Sequence, residues 1–303
     1  MKPDPRLLRY LRSVAEHGSF SQAATAENIS QPALSNKIAL LEQQLGVTVM
    51  ERGRHGARLN QYGTILLRYA RAMDAMIDRA REEVERKRNG DEGPLVVGGT
   101  PATLVKLVPS AIGRLAAAGD SRMSISVIEG DDDEMIEKLH TGEIDLMLSV
   151  SGPGMKYPGI VQETLLHLPI EAVVSVRHPL AKLKTTSLSE LASQQWVFPP
   201  QGSIFRQQVD AIFLNAGVTF PESHWICGSM MSLKSVIEHA QCVSIMPRHA
   251  FAMEVTAGLL HGIRLRNITA HRTIAVMRLS IRALSPLAER FVGILREVAR
   301  EID

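Results

Sequence analysis

The sequence has few of the features that mark secreted or membrane-spanning proteins. Its 303 residues include two cysteines, Cys227 and Cys242, which are too few for a disulfide framework and fit the cytoplasm. No apolar run reaches the roughly 18 residues that a membrane-spanning helix needs. The N-terminal stretch MKPDPRLLRYLRS is interrupted by charge throughout, so we expect no signal peptide. These absences together predict a cytoplasmic protein.

Sequence patterns of common enzymes are missing as well. The ten histidines are scattered, none forms an HExxH pair, and there is no Gly-rich phosphate loop or nucleophile elbow. The acidic run from Asp131 to Glu134 could hold a metal. Four acids at a predicted helix N-terminus, however, far more often complement the helix dipole. We therefore expect no catalytic residues, no metal site and no cofactor.

Length and charge predict a modular protein. A chain of 303 residues suggests two or three domains. Residues 1–90 hold 15 Lys and Arg against 10 Asp and Glu, a net charge of +5, whereas the remainder holds 19 against 22, a net of −3. A basic N-terminal part beside a mildly acidic remainder is expected of a DNA-binding module fused to another domain. The excess is modest, so charge alone decides little.

Residues 18–46 contain two helix starts in quick succession. Ser19 and Gln22 form the pattern of a capping box, and Ser30 with Pro32 begins a second helix. That second helix has an apolar stripe and an opposite face of small, polar and cationic residues: Leu34, Ile38, Leu41 and Leu45 against Ser35, Asn36 and Lys37. Two helices joined by a short turn predict a helix-turn-helix with a recognition helix. An ordinary amphipathic pair in a helical bundle is the alternative.

The segments on either side fit this interpretation. Asp4 and Pro5 begin an earlier helix that Gly18 ends. After the recognition helix, residues 47–50 are β-prone and residues 51–58 form a glycine-punctuated basic loop. We interpret this loop as a wing, a two-stranded hairpin whose tip brings cations to DNA phosphates. A solvated surface turn is the alternative.

A long helix is predicted next, starting at a cap on Asn60. Its apolar residues recur at a period of 3.5, namely Leu66, Ala70, Met73, Ile77, Ala80 and Val84. Such a seam requires a partner helix, so we predict that it is buried against the same helix of a second chain. About 28 residues at 1.5 Å each give a rod of roughly 40 Å. A core helix of one domain is the alternative.

Several of these stretches together resemble a known family. SFSQAA, SQPALS, LEQQLG and the stretch ERGRHGARL at residues 51–59 resemble the DNA-binding domain of LysR-type transcriptional regulators. The resemblance is close over about residues 5–70 and looser over the whole length. The sequence departs from the family at Asn36, where Arg is common, at Asn60, where Thr is usual, and at residues 240–243, where the family has a glycine-rich turn.

The resemblance implies a bacterial regulator that binds promoter DNA and a small-molecule inducer. It implies a dimerising linker helix and a two-lobed effector domain like that of periplasmic binding proteins. It also implies a homotetramer, built as a dimer of dimers, that bends DNA, with RNA polymerase as a further expected partner. Two alternatives stay open. One is a LysR-type redox sensor that uses Cys227 and Cys242, and the other is a cytoplasmic solute-binding protein or enzyme whose N-terminal helices are structural.

Beyond Pro94 the sequence alternates between strands and helices. Three predicted strands and two helices, Leu95–Gly98, Pro101–Leu115, Met123–Ile128, Asp131–His140 and Ile144–Leu148, give a βαβαβ order. That order predicts a mostly parallel sheet with helices on both faces. A second α/β series follows at 170–246, and a strand at 273–281 precedes a closing helix at 286–302.

The predicted fold class is therefore α/β with an all-α winged helix-turn-helix domain at the N-terminus. The domains are a DNA-binding domain at 1–60, a dimerising linker helix at 61–92 and an effector domain at 93–303. Lobe I of the effector domain comprises about 93–163 and 268–303, and lobe II about 164–267.

Two sets of site residues follow from these predictions. Residues that face the DNA groove or its phosphates are Ser30, Gln31, Pro32, Ser35, Asn36, Lys37, Arg52, Arg54 and Arg58. Loops at strand ends, where ligands dock in open α/β sheets, supply the effector site: Thr100, Pro101, Ala102, Thr103, Ser149, Gln201, Gly202, Ser203 and Arg206. Helix starts and an arginine favour a small organic anion. In the alternative, the hydroxyls only cap helices and Arg206 lies on the surface.

Overall fold

A computed structural model describes residues 4–53, 56–89, 92–119, 122–152, 155–266, 268 and 271–302. The chain divides into two compact units. The first comprises Met1–Pro94 with Glu137–Ile144, and the second comprises Leu95–Ile136 with Asp145–Asp303. Among the described residues, no helix is long and apolar enough to cross a membrane.

The first unit begins with three helices and a hairpin. They are α1 (Pro5–His17), α2 (Phe20–Ala26), α3 (Gln31–Leu45), β1 (Met50–Gly53) and β2 (Gly56–Leu59). β1 and β2 pair in antiparallel fashion, with Met50 opposite Leu59. Apolar residues of α1, α2 and α3 form one core with Val49, Met50 and Ala57 of the wing region. The helix-turn-helix and the wing are therefore packed together as predicted.

The ends of these helices lie at the residues that the sequence indicated. The Asp4 side chain accepts a hydrogen bond from the backbone N–H of Arg6, and Ser30 Oγ accepts one from Ala33. Gly18 and Gly46 end α1 and α3 with φ of 64° and 71°, values that favour glycine. Ser19 caps α2 through the N–H of Gln22, and no returning bond from the Gln22 side chain completes the expected box.

The long helix α4 spans Gln61–Asn89. Asn60 Oδ1 accepts hydrogen bonds from the N–H groups of Tyr62 and Gly63, both at 3.0 Å, so Asn60 caps the helix in place of the usual Thr. Gly63 lies so close to the wing that an added Cβ would be 2.1 Å from the Val49 carbonyl oxygen. Only glycine allows α4 to begin against the hairpin in this way.

The second unit is built on one eight-stranded sheet. Its strands are β3 (Glu92–Gly99), β4 (Met123–Glu129), β5 (Leu146–Ser151), β6 (Ile160–Ser175), β7 (Thr185–Thr186), β10 (Ser244–Pro247), β11 (Leu260–Leu265) and β12 (His271–Leu279). The order is β4-β3-β5-β12-β6-β11-β7, and β10 also pairs with β6. A separate two-stranded sheet joins β8 (Trp196–Phe198) to β9 (His224–Ile226).

The helices that follow α4 along the chain are α5 (Pro101–Leu104), α6 (Leu107–Ala117), α7 (Asp132–Thr141), α8 (Leu188–Leu191), α9 (Ile204–Asn215), α10 (Met230–Ala240), α11 (Ala252–Thr256) and α12 (Pro286–Ile302). Short 3-10 turns occur at Pro179–Lys182 and Arg248–Phe251. The single helix predicted from Pro101 to Leu115 is wrong, because the chain breaks between Leu104 and Leu107 into α5 and α6.

The long strand β6 passes through two apolar cores. Leu166 and Leu168 belong to a core formed with β3, β5, α6 and α12, which we call the lobe I core. Ile170 and Ala172 belong to a second core with β8 and α9, the lobe II core. One strand thus connects two lobes, which confirms the two-lobed effector domain.

The prediction of a mostly parallel sheet is wrong for the centre of the sheet. β3 and β5 pair in parallel, as the βαβ order requires. β12, however, runs antiparallel to both β5 and β6, and β10 and β11 run antiparallel to β6. These pairings join strands that are distant in sequence, so the local alternation of strands and helices carries no information about their direction.

Candidate functional site

One face of the second helix of the helix-turn-helix is exposed and polar. Leu34, Ile38 and Leu41 on α3 are at most 1% exposed and pack in the core. The residues on the other side are exposed: Gln31, Pro32, Asn36 and Lys37. Amide and ammonium groups on such a surface can bond to base edges and phosphates. Their contact with DNA stays a prediction.

The two serines assigned to this surface differ in placement. Ser30 is exposed, but its Oγ already accepts the Ala33 N–H at 3.3 Å, so its local role is to cap α3. Ser35 is half-buried. Ser30 therefore lies at the N-terminal end of α3, whereas Ser35 lies at the border of the core.

The cations of the wing are placed in part. Arg58 is exposed on β2 and lies opposite Glu51 in the hairpin register. Arg52 is a β1 residue opposite Ala57, and the structure describes its backbone only. Arg54 lies outside the described residues. One exposed arginine of the predicted phosphate-contacting set is thus located on the hairpin.

The two halves of the predicted α4 seam differ in burial. Ala70 is 2% exposed and packs with Leu66 and Met73 into the core of the same chain, beside α1. Ala70 is therefore covered within its own chain, contrary to the prediction, whereas contact of the half-buried Leu66 and Met73 with a second chain stays a prediction. Ile77 and Val84, in the second half, are 63% and 61% exposed.

A neighbouring stripe of α4 is apolar and exposed. Its first half consists of Tyr62, Ile65, Tyr69 and Met76, between 44% and 64% exposed. These residues recur at helical spacing and continue into Ile77, Ala80 and Val84 along the second half. We call these seven residues the α4 stripe. The sequence pattern could not show which apolar face of α4 is covered by α1, so the predicted seam left out the exposed residues of the first half.

A cavity of about 670 Å³ opens between the two lobes of the second unit. Thr100, Pro101 and Ala102 line it from lobe I, and Gly202 and Ser203 from lobe II. These five predicted residues, from loops far apart in the sequence, are brought together as expected. We call this cavity the cleft.

Three further predicted residues point elsewhere. Thr103 is fully buried, and its hydroxyl donates to the carbonyl of Leu148 at 2.8 Å. Gln201 is exposed but does not line the cleft. Ser149 is 1% exposed and donates its hydroxyl to Asp132. Ser149 therefore does not line the cleft itself but contacts Asp132, which does.

The assignment of Arg206 as the counter-charge for an anion is wrong. Its guanidinium donates to Asp210 at 2.7 Å and to the carbonyl of Pro199 at 3.3 Å. It also lies 4.5 Å from the ring centroid of Phe220 and 5.3 Å from that of Phe198. Aromatic faces and a carboxylate on α9 hold this cation inside lobe II, so it is not available to the cleft.

Arg272 takes the place that was predicted for Arg206. It lines the cleft from the start of β12 and is 2% exposed. Burial lowers the pKa of Arg272 to about 10, so the guanidinium is still charged at neutral pH. Its position at the start of a strand that continues into the apolar run Ile274–Met277 is visible in the sequence, but this position alone does not place Arg272 at the cleft.

Four carboxyl groups face the same cleft. Glu129, Asp131 and Asp133 are exposed on its wall, and Asp132 is 8% exposed. The pKa of Asp132 is raised above its usual value, mainly by burial, and the Ser149 hydroxyl and Arg272 offset only part of this rise. Asp131 caps α7 by accepting the N–H of Glu134 at 2.8 Å. In the described part of the chain, no group of three or more potential ligand residues is arranged to hold a metal.

A histidine links the lobes at the cleft wall. His249 is 4% exposed, and its Nε2 forms a hydrogen bond with the backbone carbonyl of Ala102. Because the carbonyl is an acceptor, Nε2 must carry the proton in this bond. Burial lowers the pKa of His249 to about 4, so the ring is neutral at physiological pH.

The two cysteines are free thiols. Cys242 is fully buried, and burial, with a smaller contribution from Cys227, raises the pKa of its thiol to about 11. Cys227 is half-buried and lines the cleft. Because the thiolate is the reactive species, the buried position of Cys242 disfavours it as a peroxide-reactive residue.

Two family models match the chain. "Bacterial regulatory helix-turn-helix protein, lysR family" matches residues 5–64, and "LysR substrate binding domain" matches residues 88–300. The first match contains the helix-turn-helix, the wing and the start of α4. The second contains both lobes and the cleft between them.

Individual proteins are similar over almost the whole chain. The hydrogen peroxide-inducible genes activator of Haemophilus influenzae is 26% identical over 297 residues, which is 98% of this chain and 96% of that protein. The "Probable RuBisCO transcriptional regulator" of Cyanophora paradoxa is 26% identical over 277 residues, 89% of this chain and 84% of that protein. The crystal structure of ArgP from Mycobacterium tuberculosis has the same fold, with a TM-score of 0.71, 17% identity and coverage of 99% of this chain and 98% of that chain.

Proposed function

This chain belongs to the LysR family of bacterial transcriptional regulators, and from that premise we propose how it regulates. In our proposal a homodimer binds an inverted repeat in promoter DNA, and a small metabolite with a carboxylate binds in the cleft as the effector. We also propose that the protein acts in the cytoplasm, where its DNA lies, with pairs of dimers forming tetramers that contact RNA polymerase. The observation that carries the effector proposal is a buried guanidinium on the wall of the cleft.

The recognition surface supports sequence-specific DNA binding. Gln31 and Asn36 present amides that can bond to adenine through two hydrogen bonds, and Lys37 presents an ammonium group. Arg58 on the hairpin provides a cation for phosphate contact. These groups are exposed, while the apolar side of α3 packs in the core. Base contacts from α3 would specify the site, and the hairpin would position the protein on it.

The α4 stripe supports a dimer. An exposed row of aromatic and aliphatic side chains at helical spacing is expected to be covered by a second helix. A twofold arrangement presents two recognition helices to two half-sites. The dimer contact is therefore proposed on the α4 stripe rather than on the buried Ala70.

The cleft supports an effector of metabolite size. Its volume of about 670 Å³ lies within the range of about 300–1,000 Å³ typical of small-molecule sites. A buried guanidinium attracts a carboxylate strongly because few solvent molecules compete there. α5, at four residues, is too short to contribute a helix dipole of any size, and we place the anion on the buried guanidinium of Arg272.

Binding in the cleft can regulate DNA binding only if the effector prefers one conformation of the protein. The shift is limited by the difference between the effector's affinities for the two conformations. His249 and Ala102 form a bond between the lobes at the cleft wall, so a ligand that changes the spacing of these lobes must act against this bond. This hydrogen bond would hold the two lobes at a fixed spacing before a ligand binds.

A gel-shift assay with DNA from upstream of the protein's own gene tests the proposal. We expect retention of this DNA at a protein concentration that leaves a scrambled duplex of equal length and composition free.

A panel of organic acids, amino acids and amines is then screened for compounds that raise the melting temperature of the protein, since ligands stabilise the state that they bind. The hits should change the gel-shift affinity. Hits that leave it unchanged would contradict effector control, and failure to distinguish the two duplexes would contradict specific binding.

A further inference from the structure

Two buried residues of opposite charge line the cleft without forming an ion pair with each other. Arg272 is 2% exposed and Asp132 is 8% exposed, and both line the cleft. No nitrogen of Arg272 lies within 4.0 Å of the Asp132 carboxylate, although each is close enough to shift the pKa of the other. A gap therefore separates the two charges.

The guanidinium is poorly satisfied by the protein. One N–H of Nη1 donates to Gln208 Oε1 at 3.0 Å, and the group lies 5.2 Å from the ring centroid of Phe205. Nε is buried, and among the described residues it has no acceptor. An arginine has five N–H donors, so most of them lack an acceptor in this part of the chain. A buried cation in this condition is stabilised by an anion that binds beside it.

The carboxylate is held in a fixed position. Ser149 on β5 donates its hydroxyl to Asp132 in the first turn of α7. This bond uses one oxygen of the carboxylate and leaves capacity for further donors, because an ionised carboxylate accepts about four hydrogen bonds. Asp132 is therefore a positioned acceptor, and Arg272 is a positioned donor on the wall of the same cleft.

The rest of the lining restricts the ligand's charge. Glu129, Asp131 and Asp133 add three exposed carboxyl groups, and Arg272 is the one Lys or Arg among the described lining residues. A ligand with two or more carboxylates would meet this acidic wall with repulsion. A ligand with one carboxylate and one protonated amine matches Arg272 and Asp132 together. The apolar residues Phe205, Met230 and Leu233 would contact the rest of the ligand.

We propose that the effector is an α-amino acid or a closely related zwitterion, with its carboxylate on Arg272 and its ammonium group on Asp132. This inference rests on the proposed effector role of the cleft and makes it more specific. Ser149 is then a positioning residue, because it holds the Asp132 carboxylate where the ammonium group binds. The exposed acids of the wall would favour amino acids with neutral or basic side chains over acidic ones.

Calorimetric titration of the full-length protein with matched compounds tests the inference. The probes are the common α-amino acids, each with its desamino carboxylic acid and its decarboxylated amine. We expect at least one amino acid to bind at least tenfold more tightly than both of its matched analogues. This comparison requires both charges on one molecule and keeps the side chain constant.

Variants then assign the two charges. Asp132→Asn, nearly equal in shape, should weaken the amino acid at least tenfold and change the affinity for the desamino acid by less than twofold. Arg272→Lys should weaken both compounds, because a single ammonium cannot donate the paired bonds of a guanidinium. Glu137→Gln, an exposed change on the same helix outside the cleft lining, is the control and should leave both affinities unchanged. Melting curves without ligand establish that each variant is folded.

The outcomes separate this inference from the proposed function. Equal or tighter binding of the desamino acids, unchanged by Asp132→Asn, would overturn the zwitterion and leave a carboxylate effector in place. Binding of the amines alone, unaffected by Arg272→Lys, would also overturn it. If no compound in the panel binds while operator DNA is still retained, both the zwitterion and the effector role of the cleft fail, and DNA binding alone stands.

Discussion

The Arg12 guanidinium on α1 lies 3.0 Å from the Asp74 carboxylate on α4. This ion pair joins the long helix to the DNA-binding module of its own chain, next to the apolar contacts of Leu66, Ala70 and Met73. The face of α4 directed at α1 is therefore already occupied. The α4 stripe is rotated away from that face and is exposed, which supports its proposed contact with a second helix.

A charged substitution on this stripe should dissolve the dimer. We expect the double variant Tyr69→Asp, Met76→Asp to sediment as a monomer at concentrations where the wild type is a dimer, because it would bury two unpaired carboxylates. Loss of the dimer should also weaken operator binding strongly, since one half-site would be contacted at a time.

The control for this experiment is Arg71→Asp, an exposed change on the opposite side of α4, which should leave the dimer intact. If the control variant were also a monomer, a carboxylate on any side of α4 would disrupt the dimer, and the result would not identify the stripe. An unchanged dimer in the double variant would exclude the α4 stripe as the interface.

DNA contacts of two kinds should respond differently to mutation. Gln31→Ala should cost about 1–3 kcal/mol in operator binding and reduce the preference for one base, as expected for loss of a bidentate contact to adenine. Arg58→Ala should weaken operator and unrelated DNA alike and reduce the slope of log K against log salt by about one. Fluorescence anisotropy with both duplexes at several salt concentrations measures these quantities.

Lys156→Ala, an exposed cation of the second unit, serves as the control and should behave as wild type. The assignment of α3 as the recognition helix would be refuted by a Gln31→Ala variant that binds both duplexes as the wild type does. A change in sequence preference on Arg58→Ala would instead give the hairpin a role in base recognition.

Peroxide should not regulate this protein through its cysteines. The thiol of Cys242 is fully buried with a pKa raised to about 11, so its thiolate is scarce near neutral pH and its oxidation should be slow. We expect operator binding to be unchanged by peroxide in the wild type, in Cys227→Ser and in Cys242→Ser. Mass spectrometry should show faster alkylation of the half-buried Cys227 than of Cys242.

Formation of a Cys227–Cys242 disulfide that alters operator affinity would contradict this expectation and favour the redox-sensor alternative. The similarity to the Haemophilus influenzae activator makes the measurement necessary. A fold shared at 26% identity does not carry over the reactivity of individual thiols.

Features that depend on neighbours in sequence were predicted well. The caps at Asp4, Ser30 and Asn60 need only residues within the next turn, and each forms the bond that its sequence indicated. The loops at Thr100 and Ser203 line the cleft, and each lies between the carboxyl end of a strand, β3 or β8, and the start of a helix. These signals are local, or follow from topology alone.

Features that depend on distant residues were not predictable. Arg206 follows Ser203 closely, but Phe198 and Phe220, from other segments, draw its guanidinium into lobe II. Arg272, far along the chain, reaches the cleft because β12 pairs between β5 and β6. No spacing rule distinguishes two such arginines, and only the tertiary contacts determine which one lines the cleft.

Acid should destabilise the effector domain through His249. Its pKa is lowered to about 4 in the folded chain against about 6.5 when unfolded, so the unfolded state binds more protons between these values. Stability therefore falls as the pH drops from about 6.5 toward 4, by about 2 kcal/mol at pH 5 from this group alone. Trp196 and Trp225, the two tryptophans of the chain, lie in this domain, so tryptophan fluorescence in urea reports its unfolding.

The variant His249→Gln should have a lower urea midpoint at pH 7.5, because the bond to Ala102 changes. Its midpoint should fall less between pH 7.5 and pH 5 than that of the wild type. His224→Gln, a half-buried histidine with no contact to the Ala102 carbonyl, is the matched control and should keep the wild-type acid response. Equal acid sensitivity in His249→Gln and the wild type would show that protonation of His249 does not oppose folding.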